Sequence, residues 1–333
     1  MKIISFYSYK GGVGRTMLTA QIARCLAALG KSVVVADFDF EAPGVPASFD
    51  KSIEDVEGGI FELFNIYKND IKIFGKNLIK SEKFNNRFIE CLKEHFKEKK
   101  YLLDIKTGLK GSNNTGKIRI LPSGRLSNIY WNKIVNPEWL NSLKLDKKRR
   151  NSFSYFISNI LIPTLAKEID EKETDYLLVD SRTGITYYGS IAREIANRHV
   201  MIFCPNKEAK EALHFFLLPA LKNFLKDDHL LDKVVFVVSR MPPELYKQGK
   251  EVFEEYCHLI ENECTHDDKY ILKFHSDLHT HLDESIRYID ERYINLFDNE
   301  GFKNLGKEDI DIVQIHEDIL KILVALCPPD ELN

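Results

Sequence analysis

The sequence lacks long apolar segments and lacks paired cysteines. No apolar run approaches the roughly 18 residues that span a bilayer, so no transmembrane segment is expected. The chain enters a strand pattern at once, without a basic leader or a cleavage site, so no signal peptide is expected either. The six cysteines include no Cys-x-x-Cys pair, and several lie in apolar contexts. We therefore expect buried free thiols and a cytoplasmic location.

Neither sign of charge is in large overall excess, because the formal net charge is −3 over 333 residues. Hydrophobic residues make up 44 % and charged residues 29 %, as in ordinary globular proteins. The charged residues are, however, unevenly distributed along the chain. Residues 68–150 carry 21 lysines and arginines against 8 aspartates and glutamates, whereas the remainder carries 26 against 42. A basic segment within an acidic protein raises the hypothesis of a partner.

Strand patterns alternate with helical patterns along the chain. Apolar, β-branched runs predict strands at 2–8, 33–37, 118–122, 176–180, 199–204 and 234–239. Helical patterns occupy 15–29, 58–67, 71–100, 152–170, 186–197 and 207–226. This alternation predicts the α/β class, with a doubly wound, mostly parallel sheet and helices on both faces.

The domain organisation follows from the same alternation. We expect one domain over residues 1–333, interrupted by a basic, mostly helical insertion at 68–116. Residues 107–116 are rich in turn formers and predict a mobile loop. The acidic region 250–333 is expected to supply closing helices that pack on the same domain.

The most informative stretch follows the first strand and reads Lys10-Gly11-Gly12-Val13-Gly14-Arg15-Thr16. Glycines allow a turn tight enough to aim several backbone N–H groups at one anion. The following helix adds the partial positive charge of its N-terminus. Thr16 stands where the hydroxyl of a phosphate-binding loop ligates Mg²⁺, but Arg15 stands where lysine is usual. The strand, loop and helix together predict a phosphate site.

Carboxylates follow two of the other predicted strands. Asp37 and Asp39 end the second strand, and Asp180 ends the strand at 176–180. Parallel sheets bind ligands at the carboxyl ends of their strands, where the glycine loop and Ser239-Arg240 also lie. Of Asp37 and Asp39, we expect one to hold water on Mg²⁺ and the other to orient the attacking water.

Three segments together resemble a known family: residues 10–16, Asp37-Phe38-Asp39, and Asp180-Ser181-Arg182-Thr183-Gly184. They are similar to the deviant Walker A ATPases of the ParA/MinD type, and especially to the branch with arginine in the phosphate loop. The similarity covers most of residues 1–67 and 117–245. It implies ATP and Mg²⁺ as ligands, and a homodimer that encloses two nucleotides.

The resemblance also implies roles for individual residues. Lys10 would reach the partner subunit's phosphates, Asp39 would position water, and Asp180 would be the Walker B aspartate. Catalysis is thus assigned to Lys10, Arg15 and Asp39, and the metal to Thr16, Asp37 and Asp180. The expected switch II loop is Ser181, Arg182, Thr183 and Gly184. The expected nucleotide contacts are Gly11, Gly12, Val13, Gly14, Arg15, Thr16, Met17, Asn206, Ser239, Arg240 and Pro242.

Arg15 departs from the usual lysine and shapes the functional prediction. Its planar, forked guanidinium holds phosphate oxygens well but does not place a point charge as lysine does. We therefore expect a slow ATPase switch that controls a partner protein or nucleic acid; the resemblance also points to bacterial defence modules. One alternative is a non-hydrolysing ATP or ADP sensor. Another is a small-molecule kinase or ligase of the same fold.

The basic segment 68–150 leaves three alternatives open: a solvated charged surface, a nucleic-acid contact, or attachment to acidic protein surface. Its densest patch is Lys147-Lys148-Arg149-Arg150. The cluster from His275 to Asp283 has residues of the types that bind metal, but its spacing fits no zinc motif. The C-terminal tail lacks a basic amphipathic face, so no membrane binding is expected.

Overall fold

The fold was obtained as a computed structural model, which describes residues 1–78, 82–97, 101–105, 116–134, 136, 152–167, 173–184, 186–203, 211–212, 214–215, 234–238, 322–323 and 326–327. In this part of the chain, no helix has the length and apolar character needed to cross a membrane.

Seven strands form one sheet: β1 Lys2–Ser8, β2 Ser32–Phe38, β3 Leu103–Ile105, β4 Lys117–Leu121, β5 Tyr176–Ser181, β6 Arg198–Phe203 and β7 Val234–Val238. Their order across the sheet is β3-β4-β2-β5-β1-β6-β7. Every neighbouring pair is parallel except β3 with β4, which is antiparallel. The described residues of the central strands are almost entirely buried, as expected when helices cover both faces.

The helices are α1 Arg15–Ala28, α2 Ile60–Leu78, α3 Glu82–Lys97, α4 Asn128–Ile134, α5 Phe153–Phe156, α6 Ile162–Ala166 and α7 Tyr187–Ile195. A π-helical stretch, Ile157–Leu161, joins α5 to α6. Two short 3₁₀ turns, Pro46–Phe49 and Ile53–Asp55, follow β2.

Two hydrophobic cores lie on opposite faces of the sheet, because successive strand residues point to opposite sides. Val33 and Val35 of β2 lie in one core with Leu18 and Leu26 of α1. The other core contains Val34, Ala36 and Phe38 of β2 and is rich in aromatic rings: Phe40, Phe61, Phe64, Tyr67, Phe88, Phe96, Tyr130, Phe153, Tyr155, Phe156 and Tyr188. The helices α2 to α7 contribute to this aromatic core. The predicted doubly wound α/β fold is confirmed.

Several local predictions differ from the structure. The short helix expected at 58–67 continues to Leu78, and the pattern at 71–100 is shared between α2 and α3. The edge strand β3 was not predicted, because three residues are too few to show a period. Within the expected insertion, α3 buries Phe88, Leu92 and Phe96 in the aromatic core. Most of 207–226 and of 250–333, including His275 to Asp283, lies outside the described residues.

Candidate functional site

The glycine loop has the backbone geometry that a phosphate cradle needs. Gly12 and Gly14 have positive φ values of 73° and 82°, which side chains with a Cβ seldom adopt. Gly14 precedes the first residue of α1, and its carbonyl accepts a hydrogen bond from the Leu18 amide. Gly11 and Gly12 are exposed, whereas Val13 is buried in the core beside α1. The loop is thus anchored by Val13 and open to solvent at its glycines.

Strand order brings the predicted carboxylates to this loop. β1, which leads into the loop, is paired with β5, and β5 is paired with β2. Asp37 and Asp180 are register partners across β2 and β5. Asp39 follows one residue after the end of β2. Residues distant in sequence therefore meet at one sheet edge.

Arg15 lies between two of these carboxylates. Its Nε donates to Asp180 Oδ1 at 2.6 Å, and its Nη2 donates to Asp39 Oδ2 at 3.3 Å. The Arg15 side chain is only 8 % exposed. Burial by itself lowers the pKa of Arg15, but Asp180 and Asp39 outweigh it, so that pKa is raised. Arg15 therefore stays charged. Its remaining nitrogen, Nη1, is buried without a hydrogen-bond partner.

Thr16 and Asp180 form the second contact of the site. The Thr16 hydroxyl donates to Asp180 Oδ2 at 2.6 Å, so Asp180 uses one oxygen for Thr16 and one for Arg15. Desolvation raises the pKa of the buried Asp180 carboxyl, and the charge of Arg15 opposes that rise.

This donor set fits Mg²⁺. The cation prefers oxygen ligands and is commonly bound by one or two carboxylates plus phosphates, rather than by a complete protein cage. Thr16 and Asp180 offer such oxygens at the start of α1. Among the described residues, no group of three or more His, Cys, Asp or Glu side chains forms a metal cage. The predicted metal role of these residues stays a prediction that the local chemistry supports.

Asp37 binds backbone amides of the segment that follows β2. Its Oδ1 accepts the Asp39 amide at 3.0 Å, and its Oδ2 accepts the amides of Gly44 and Val45 at 3.0 and 3.1 Å. Complete burial and the nearby Asp180 raise the pKa of Asp37 to about 7, although the backbone hydrogen bonds oppose this. Both oxygens thus hold backbone, and a metal role for Asp37 remains a prediction.

Asp39 joins the two loops beside the site. Its Oδ1 accepts the Ala42 amide at 3.1 Å and lies 3.6 Å from Nη1 of Arg182. Nη2 of Arg182 also pairs with Glu41 Oε2 at 2.7 Å. Arg182 therefore connects the segment after β5 to the segment after β2. Glu41 lies two residues after Asp39, and its pairing with Arg182 depends on tertiary structure.

Gly184, the last residue of the predicted switch II segment, is hydrogen-bonded to β1. Its φ is 76°, its amide donates to the Ser8 carbonyl at 3.2 Å, and its carbonyl accepts the Tyr7 hydroxyl at 2.9 Å. The guanidinium of Arg193 lies 4.8 Å from the centre of the Tyr7 ring, a cation–π distance. Tyr7 and Arg193 were not predicted to contribute, because in the sequence they look like ordinary strand and helix residues.

The structure locates only part of the predicted set. Lys10 is exposed at the loop entrance, and Met17 is half-buried in α1. Ser181 is fully buried at the end of β5, and Thr183 is half-buried beside Arg182. Four of the predicted nucleotide contacts lie outside the described residues: Asn206, Ser239, Arg240 and Pro242.

Comparison with known proteins agrees with this geometry. Residues 4–266 match the model of the CobQ/CobB/MinD/ParA nucleotide binding domain. The structure of pNOB8 ParA matches with a TM-score of 0.54 at 15 % identity, covering 96 % of this chain and 98 % of that one. A chain of the MinC:MinD cell division protein complex from Aquifex aeolicus matches with a TM-score of 0.50 at 18 % identity, covering 98 % and 95 %.

At these identities the structural likeness concerns the fold. A comparison with curated protein sequences gives no match. The family model, however, covers most of the chain, from β1 beyond β7. The protein therefore belongs to the CobQ/CobB/MinD/ParA nucleotide-binding domain family.

Proposed function

We propose that this protein is a Mg²⁺-ATP-dependent switch that hydrolyses ATP slowly and forms a homodimer around the nucleotide. The observation that carries the proposal is the meeting of Arg15, Thr16, Asp39 and Asp180 at the start of α1. Membership in a nucleotide-binding family supports the choice of ligand.

The glycine loop supplies the binding energy for the phosphates. Backbone N–H groups of residues 11–16 and the N-terminus of α1 favour negative charge there. Thr16 and Asp180 would hold Mg²⁺, which supplies charge neutralisation on the phosphate oxygens when it is bound. Met17 continues the loop into α1 and completes the proposed contact set.

Asp39 is proposed to orient the attacking water. Its carboxylate lies beside Arg15, and the Ala42 amide and Arg182 hold its Oδ1. A carboxylate fixed from both sides can hold a water molecule in one orientation, which is the main protein contribution to phosphoryl transfer to water.

Slow turnover is expected because the planar guanidinium of Arg15 does not place a point charge beside the phosphates as lysine does. Steady-state turnover with Mg²⁺-ATP should stay below about 10 per second, the enzyme median. Asp39→Asn should keep ATP binding and reduce turnover by about 100-fold or more, because the neutral amide no longer orients the attacking water as the carboxylate does.

The matched control is Asp50→Asn, an exposed aspartate with a left-handed φ of 56° that asparagine tolerates well. This control should turn over ATP at the parent rate. Parental turnover in Asp39→Asn, with binding intact, would remove Asp39 from the mechanism.

A second candidate is a sensor that binds ATP or ADP without hydrolysis. The observation that favours it is the double engagement of Arg15 by Asp39 and Asp180, which holds the guanidinium away from transfer chemistry. A single-turnover assay with excess protein separates the two candidates, because the sensor forms no ADP over hours while the switch completes one turnover.

The output of the switch is proposed to be a partner protein or a nucleic acid, reached through the basic segment 68–150. Its described part is not all surface: Arg119 of β4 is buried and donates to the Ser32 hydroxyl at 3.1 Å. The dense patch at 147–150 lies outside the described residues. A role in a bacterial defence module is proposed on the motif resemblance alone.

A further inference from the structure

The buried carboxylates of Asp39 and Asp180 both bind Arg15, and Asp180 is also the proposed carboxylate for Mg²⁺. Arg15 binds Asp180 at 2.6 Å and Asp39 at 3.3 Å, and these three side chains are 8 %, 1 % and 10 % exposed. Thr16, which would hold Mg²⁺, donates to the second oxygen of the same Asp180. The guanidinium therefore lies where the carboxylates would otherwise attract a divalent cation.

The two cations compete because the site is buried. Coulomb repulsion between like charges is weakly screened at low effective dielectric, so Arg15 and Mg²⁺ do not both fit against Asp39 and Asp180 at low cost. A bound nucleotide changes this balance, since its phosphates bring negative charge that can take one of the cations.

The third nitrogen of Arg15, Nη1, indicates which cation the phosphates would bind. Nη1 is buried and makes no hydrogen bond, which costs free energy in a folded protein. A phosphate oxygen is a strong acceptor for a guanidinium, and often binds two of its N–H groups. Arg15, the first residue of α1, thus has two nitrogens that donate to carboxylates and one that lacks an acceptor.

We propose that Arg15 is a resident counter-cation, which neutralises Asp39 and Asp180 in the free protein and moves to the phosphates when nucleotide and divalent cation bind together. This inference rests on the nucleotide site proposed above. The free protein then binds Mg²⁺ weakly, because Arg15 already satisfies the carboxylates. Nucleotide is needed to release them, so metal and nucleotide binding are coupled.

Arg15→Lys tests the proposal through metal binding alone. Lysine presents one point charge and lacks the fork that reaches two carboxylates. Titration calorimetry of Mg²⁺ into nucleotide-free protein should give about tenfold tighter binding in Arg15→Lys than in the parent, the equivalent of one charge-assisted hydrogen bond. Mg²⁺ alone should also raise the melting temperature of Arg15→Lys more than that of the parent.

The matched control is Arg24→Lys in the same helix. Arg24 donates to the Ser48 carbonyl and lies over the Phe49 ring, and it contacts neither carboxylate. Its Mg²⁺ affinity should equal that of the parent. Equal Mg²⁺ affinity in all three proteins would overturn the inference. Failure of all three to bind ADP or ATP would instead overturn the proposed function, and the Mg²⁺ comparison would still be readable.

A second variant covers the case in which Arg15→Lys does not fold. Asp39→Asn removes the charge from one of the two groups that hold Arg15. ADP affinity measured in excess chelator should then rise by about tenfold, because the guanidinium is easier to transfer to the phosphates. Unchanged or weaker ADP binding in chelator would contradict the counter-cation role.

Discussion

Glu62 is a partly buried carboxylate whose partners are backbone amides. Its Oε2 accepts the Gly59 amide at 2.8 Å, and the Arg125 amide lies 3.3 Å from Oε1. Glu62 thus ties the first turn of α2 to the loop after β4. Desolvation raises the pKa of Glu62 above its usual value of 4.5, although the backbone amides oppose the shift.

This raised pKa predicts how stability changes with pH. A carboxyl with a higher pKa in the folded state binds protons more tightly when folded, so its contribution is complete below about pH 4.5 and is lost as pH rises through the folded pKa. In Glu62→Gln this decline should disappear. Urea unfolding at pH values from about 4 upward should therefore show a shallower fall in the free energy of unfolding than in the parent.

The control for this measurement is Glu57→Gln, an exposed glutamate in the irregular segment before α2. It should follow the parent at every pH. A Glu62→Gln profile that coincides with the parent would show that this carboxyl does not titrate differently in the folded and unfolded protein.

Helix α2 is docked against the chain that leaves β4, at the edge of the sheet that carries the site. The amide of Ile60 donates to the Pro122 carbonyl at 2.9 Å, and the amide of Phe61 donates to the Ser123 carbonyl at 2.8 Å. A Cβ on Gly59 would lie 2.1 Å from the Pro122 oxygen and 2.8 Å from the Gly124 nitrogen. Only glycine permits this close approach of two backbones.

Gly59→Ala should therefore separate α2 from the loop after β4. We expect the free energy of unfolding to fall by about 1–3 kcal/mol, the usual cost of overpacking, measured by urea unfolding. The control is Gly44→Ala, whose added Cβ would meet only the Ala42 oxygen at 3.9 Å. A loss of stability no larger in Gly59→Ala than in Gly44→Ala would disprove the close docking.

The aromatic core connects the site to the helices on one face of the sheet. Phe40, one residue beyond Asp39, stacks on Tyr188 with ring centres 4.5 Å apart, and its carbonyl accepts the Tyr130 hydroxyl at 2.8 Å. It also meets Phe153 edge-on at 5.6 Å. The segment that carries Asp39 is thus held by α4, α5 and α7 together, which fixes the position of its carboxylate.

The whole molecule is expected to change its oligomeric state with nucleotide. Lys10 is exposed at the entrance of the glycine loop, and the proposed dimer would share its charge with the second copy. Light scattering after size exclusion should give about 38.6 kDa without nucleotide and about twice that mass with ATP. In Lys10→Ala the ATP-dependent doubling should be lost, because a charge shared across the interface is removed.

Lys117→Ala is the control for this experiment. Lys117 is an exposed lysine at the first residue of β4, at the opposite edge of the sheet from the glycine loop. It should dimerise with ATP as the parent does. Unchanged dimerisation in Lys10→Ala, or a constant mass in ATP and ADP, would refute the shared site.

The local patterns of this sequence were sufficient to predict its class of fold. Apolar runs such as Val33-Val34-Val35 predicted buried strands, and the step from glycine loop to helix placed Arg15 at the start of α1. The short β3 and the length of α2 were not predictable in this way. An edge strand is defined by pairing with β4, and a helix end by what it packs against.

The sequence by itself determined the parallel α/β class, the glycine-rich loop before α1 and the identity of the charged residues around it, because these depend on local period and residue chemistry. Only the tertiary structure decided that Arg15 binds Asp39 and Asp180, and that Asp37 holds backbone amides. These contacts join residues up to 165 positions apart. They exist only because β1 lies beside β5 and β5 beside β2, a neighbourhood that no local pattern encodes.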